Sequence, residues 1–171
     1  MTRSKSISKR LGAMIMACAM MFAMAISANA ADTANETTET YQVTIYKKNG
    51  TSISMANGIV AGNATATTAA DGKVRVNIPI KPIYNYTAMG MFTADGYLKS
   101  VVLSGATGIV TPNTTTYPSA TLTITANSMP SNLRFAVTSS RIDLYKVGTS
   151  NPYWMSHVSP AFVIALTPVS A

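Results

Sequence analysis

From residue 41 onward the chain alternates apolar and polar positions, and the helical period of 3.6 is hard to find. "YQVTIYK" (41–47), "KVRVNIPI" (73–80), "YLKSVVL" (97–103), "ATLTITA" (120–126), "LRFAVTS" (133–139), "RIDLYKV" (141–147) and "AFVIAL" (161–166) are rich in β-branched and aromatic residues. Such runs predict strands with one face turned inward. Three pairs that tolerate positive φ, Asn49-Gly50, Asp71-Gly72 and Asp95-Gly96, predict hairpin turns. On this reading Asp71-Gly72 joins "NATATTAA" to "KVRVNIPI", and Asp95-Gly96 joins "TAMGMFTA" to "YLKSVVL". The one interruption is "TSISMANG" (51–58), where Ser52 or Ser54 caps a single helical turn that Gly58 stops. The pattern predicts an all-β chain, an antiparallel β-sandwich of about eight strands.

The first thirty residues stand apart. Arg3, Lys5, Lys9 and Arg10 precede an apolar run from Leu11 to Ile26 and an Ala28-Asn29-Ala30 cleavage site, the three parts of a secretory signal peptide. The run is shorter than the roughly 20 residues of a membrane span, and no second one follows, so no stable membrane insertion is expected. The expected organisation is a signal peptide at 1–30, a flexible polar leader at 31–40 and one domain at 41–168. This cut also removes Cys18, so the exported chain has no disulfide and no thiolate chemistry. It takes four of the thirteen Lys and Arg but none of the six acidic residues, leaving +3. A charge so mild and scattered predicts no nucleic-acid partner. No sorting signal of the LPxTG type is visible, and a secreted, extracellular protein is expected.

Catalysis finds little to work with. There is a single His; Asp32, Glu36 and Glu39 lie in the leader, Asp71 and Asp95 in expected turns, and Asp143 alone on an expected strand. Paired carboxylates, a nucleophile motif or a multi-histidine metal site cannot be assembled from that set, so no enzyme is expected. "NPYWMSH" (151–157) is the other place where chemistry concentrates. It holds the only Trp, Trp154, and the only His, His157, beside Tyr153 and Met155, between Pro152 and Pro160. Phenolate, imidazole and thioether are all haem-iron ligands, and flat aromatic and Met surfaces suit a porphyrin face. The plainer reading is that these residues pack on an end of the sandwich or lie exposed. Met89 and Met91 fall on one face of an expected strand, which suits a core.

Set in order along the chain, "YQVTIYKKNG", "SISMANGIVAGNATATTAADGKVRVNIPI", "YTAMGMFTADGYLKSVVL" and "ATLTITANSMPSNLRFAVTSSRIDLYKV" resemble the NEAT domains, immunoglobulin-like haem-binding modules of Gram-positive cell surfaces. The resemblance implies an immunoglobulin-like sandwich with one short 3₁₀ helix, whose Ser-x-Met motif would correspond to Ser52, Ser54 and Met55. It further implies haem as cofactor, held on the last hairpin by a Tyr-x-x-x-Tyr motif that here reads Tyr153-x-x-x-His157. Tyr153 would coordinate the iron and His157 would orient it, with His157 or Met55 as alternative ligands. A related surface haem protein uses two Met ligands, which would make Met155 the partner of Met55. The Ser52 and Ser54 hydroxyls would reach the propionates, and Lys47, Lys48 and Lys146 are either further propionate contacts or solvated strand residues. Pro160 removes a ladder donor, so the strand after His157 must bulge or break. The function implied is that of a secreted hemophore that captures haem and relays it to other haem-carrying partners. The alternative is an adhesion module binding protein or glycan without a cofactor.

Overall fold

The computed structural model describes residues 36–88, 92–113 and 119–169. The expected signal peptide and most of the leader lie outside these residues, as do Met89 and Met91. Ten strands and one 3₁₀ helix (Met55–Ile59) follow one another: β1 (Thr37–Lys47), β2 (Ala64–Thr68), β3 (Val74–Ile80), β4 (Ile83–Ala88), β5 (Phe92–Leu103), β6 (Ala106–Pro112), β7 (Ala120–Ala126), β8 (Arg134–Tyr145), β9 (Pro152–Val158) and β10 (Phe162–Pro168). All pairings are antiparallel, in the order β4-β5-β8-β10-β1-β2-β3-β7-β6, with β9 on the same side of β8 as β10. The protein is thus an all-β sandwich, as the alternation predicts. Among the described residues no helix is long and apolar enough to cross a membrane.

Two features fold this ladder into two layers. β1 changes partner at Tyr41, with Thr37–Tyr41 on β2 and Tyr41–Lys47 on β10. The strand therefore begins inside the stretch expected as leader, because its threonines find ladder partners on β2. β5 in turn leads through a turn at Gly105 (φ 72°) into β6, where Gly108 lets the two strands approach. A Cβ at Gly108 would lie 2.3 Å from Val101 and 2.5 Å from Leu103. Between the layers sit Ile45, Ile59, Ile78, Leu122, Ile124, Phe162 and Ile164, all fully buried. The 3₁₀ helix closes one side: Ser54 caps it by accepting from Ala56 N at 3.2 Å, and Asn57 Oδ1 ties it to Ile45 N at 2.8 Å.

The turns at Gly50 (φ 73°) and Gly72 (φ 81°) are as expected. Asp95-Gly96, however, is no turn: both residues lie inside β5, opposite Tyr145 and Leu144 of β8. Likewise "LRFAVTS" and "RIDLYKV" belong to one strand, β8, whose inward positions change phase at a bulge near Thr138. The Thr138 hydroxyl donates to Val102 O there, at 3.1 Å. A bulge adds one residue and flips the alternation, which is why one strand reads as two.

The β1 pivot carries a pH dependence. The Tyr41 hydroxyl donates to the Glu39 carboxylate, and this bond, with burial and the Glu39 charge, pushes the phenol from its ordinary 10.0 up to about 12. The unfolded chain ionises Tyr41 first, so its contribution is intact below pH 10.0 and lost as pH climbs toward about 12. Burial raises Tyr86 as well, in the same direction. Thermal melts across this window should therefore show less alkaline loss for Tyr41→Phe than for the parent; equal losses would disconnect Tyr41 from the effect.

Candidate functional site

β8 and β9 form the last hairpin, and its register decides where the scarce residues point. Ile142 pairs with Val158 and Asp143 with His157, but Tyr145 already pairs with Pro152. Between those pairs β9 has three residues more than β8, so simple alternation does not survive. Tyr153 and Val158 both pack on the core, and Ile142, opposite Val158, is fully buried. His157 and Asp143, paired across the strands, therefore look outward. Tyr153 and His157 stand on opposite faces of β9, and the four-residue spacing does not bring them together. His157 is exposed, with Ser156 Oγ 3.2 Å from its Nδ1.

On the core side Tyr153 is half-buried and stacks on Phe92, with ring centroids 4.6 Å apart and planes 15° from parallel. Trp154 meets the same Phe92 ring edge-on at 5.7 Å yet remains 74% exposed. Met155 is half-buried on the same strand. Met55 lies on the 3₁₀ helix, which packs against β1 and β4, and is 52% exposed. Ser52 is exposed; its backbone carbonyl accepts from Lys47 N at 2.7 Å. The Ser54 oxygen is occupied as the helix cap. Lys47, Lys48 and Lys146 are exposed. The strand does break where Pro160 demands it, between Val158 and Phe162, and the buried Ser140 hydroxyl donates to Pro160 O at 2.7 Å across the gap.

A concavity lies on the outward face, beside the loop of the same hairpin. A cleft of about 580 Å³ is lined by Tyr84, Asp95, Tyr97, Lys99 and Tyr145 and by the loop Gly148, Thr149 and Ser150. Asp95, Tyr97 and Lys99 face outward because Ala94 and Leu98 of the same strand are buried in the core and β5 bulges at Lys99. Tyr97 and Tyr145 meet at 5.2 Å with planes at 86°, forming a corner. Asp95 is only 3% exposed, and its two carboxylate oxygens accept from Asn85 N at 3.1 Å and Gly148 N at 2.8 Å. It thereby ties the bulge of β4 and the β8–β9 loop to β5. Burial pushes the Tyr97 phenol up, helped by Tyr84, Asp95 and Tyr145.

None of these cleft residues is singled out by sequence reasoning. The available signal was the spacing Asp95-x-Tyr97-x-Lys99, polar and aromatic groups two apart on one side of a strand. It was hidden by the turn chemistry of Asp95-Gly96. Among the described residues no group of three or more His, Cys, Asp or Glu is placed to hold a metal ion. No protein-family model matches the chain, and no curated protein matches it.

Proposed function

We propose that the protein binds haem outside the cell and hands it on, with Tyr153 as the iron ligand. The observation that carries this reading is the aromatic shelf on β9, where Tyr153 lies flat on Phe92 with Trp154 at the edge of the same ring. The donor set fits the group: a phenol supplies the oxygen that ferric haem accepts, and flat rings with the Met155 thioether suit a porphyrin face. The signal peptide expected at 1–30 and the resemblance of the strand order to NEAT modules point the same way. Haem would supply the iron and the visible absorption; the chain's own part is to hold the phenol against Phe92 and offer apolar surface around it. In this reading His157, on the other face of β9, takes no part in the iron bond, and Met55 belongs to a separate element.

Tyr153→Phe removes the oxygen and keeps the ring stacked. Hemin added to the purified protein should give a shifted Soret band that saturates near equimolar hemin, is lost in Tyr153→Phe and persists in His157→Ala. No shift, or one that Tyr153→Phe leaves untouched, would sink the proposal.

A further inference from the structure

We infer that the outward cleft between β4, β5 and the β8–β9 loop is a second binding site, for a neutral carbohydrate. Its size, about 580 Å³, falls within the roughly 300–1,000 Å³ of small-molecule sites. Size alone would say little; the local construction says more. A carboxylate buried on the outward face of a sheet is costly unless it is fully hydrogen-bonded. Asp95 is so bonded, but only because two backbone segments come to it. Asn85 adopts φ 55°, a left-handed conformation uncommon for a residue with a side chain, and Gly148 adopts φ 69°. Gly148 adopts it without strain, whereas a left-handed non-glycine residue such as Asn85 costs energy, and such residues are enriched at functional sites. The packing of the core between the two layers asks for none of it.

The loop is held in advance. Lys146 N donates to Asn151 O at 2.9 Å, Thr149 N and Thr149 Oγ1 both donate to Lys146 O at 2.9 Å, and Asn151 N donates to Thr149 Oγ1 at 3.2 Å. A wall fixed before binding loses little freedom on binding.

The lining then selects the ligand. The lining holds one acidic and one basic side chain, Asp95 and Lys99, so by count it carries no excess charge to recognise an anion or a cation. The Tyr84 and Tyr145 phenols and the Ser150 hydroxyl can each donate and accept a hydrogen bond. The rings of Tyr97 and Tyr145 stand at right angles and Tyr84 is 59% exposed, so aromatic faces are open to contact. A purely apolar ligand would cover the Tyr84, Tyr145 and Ser150 hydroxyls without hydrogen-bonding them. A pyranose meets both demands, because its C–H face lies on a ring while its rim of hydroxyls reaches the polar groups.

The test is amide chemical-shift mapping on the purified protein, with neutral trisaccharides of glucose, galactose and N-acetylglucosamine as probes and a sulfated polysaccharide as the charged control. The expected result is a saturable, salt-insensitive shift of Asn85, Tyr97 and Gly148 with at least one neutral probe. Tyr84→Ala, at an exposed ring, should weaken it about tenfold without moving the melting temperature, and Tyr145→Phe should weaken it by a smaller factor. The inference fails if no neutral probe shifts these amides, if Tyr84→Ala binds as the parent does, or if only the sulfated polymer binds and salt removes it. Because Tyr153 lies on the other face, a failure of haem binding leaves this result standing, and the reverse.

Discussion

Asp95→Ala is expected to cost about 3 kcal/mol of stability, far more than any other carboxylate substitution among the described residues. The carboxylate sits 3% exposed and is the acceptor for two backbone donors from different segments, Asn85 N and Gly148 N. Removing it leaves both in a site that water reaches poorly, at roughly 1–3 kcal/mol for each unsatisfied group. Asp95→Asn should fall between, since one amide oxygen can serve only part of that pair and the NH₂ faces a donor. Asp143→Ala is the control: its partner Arg141 is largely exposed, and such ion pairs contribute roughly 0–1 kcal/mol. Urea unfolding would rank the three. Hydrogen exchange adds a local readout, because Asn85 and Gly148 amides should exchange faster in Asp95→Ala while amides of β3 and β7 keep their order of protection. A loss below about 1 kcal/mol, or unchanged exchange at those two amides, would show that the carboxylate does not hold the loop.

That same residue explains where the sequence was legible and where it was not. Strands with clean alternation, such as β3 and β7, are recovered nearly to the residue, because each has one face on the core and the other on solvent. Asp95-Gly96 has the local chemistry of a hairpin turn, yet its surroundings overrule it. Gly96 sits where a Cβ would come within 3.1 Å of Ile142, so the missing side chain serves packing between β5 and β8. β6 was hidden for a similar reason. Gly108 reads as a breaker but permits close approach to β5, and Pro112 is tolerated because β6 is an edge strand. β4 was hidden by Asn85, whose left-handed backbone interrupts the period of two. In each case a contact with a neighbouring strand set the conformation, and the period of the residue's own strand carries no trace of such a contact.

The hairpin shows the other limit. "NPYWMSH" gathers the scarce residues of the chain onto β9, and the strand does end before Pro160. What spacing could not show was the three-residue excess in β9 relative to β8, which puts Tyr153 on the core side and His157 opposite. Four residues apart means one face only in an undistorted strand. The outward cleft follows from the same hairpin: its loop, fastened by Asp95, supplies one wall, and Tyr145 at the end of β8 supplies another.

Phe162→Ala should destabilise the protein by roughly 3–5 kcal/mol, whereas Trp154→Ala should change stability by less than about 1 kcal/mol. The two aromatics lie only eight positions apart on consecutive strands, yet their surroundings differ completely. Phe162 is 1% exposed; on β10 it pairs with Lys47 of β1 on one side and with Val137 of β8 on the other, and it is the largest of the fully buried side chains. Truncation there opens a cavity in a strand that joins the two, and neighbours fixed by ladder bonds on both sides collapse into it poorly. Trp154, at 74% exposed, has its edge on Phe92 and little else to lose. Denaturant melts followed by far-UV circular dichroism would compare them. Trp154 emission should already be that of a water-exposed indole in the native state, so fluorescence should report the unfolding of the parent weakly. Equal losses for the two variants, or a blue-shifted native emission, would mean that Trp154 is part of the packed structure. With the expected outcome, β10 holds the fold, while the exposed side chains of β9 can vary without taking stability from the core.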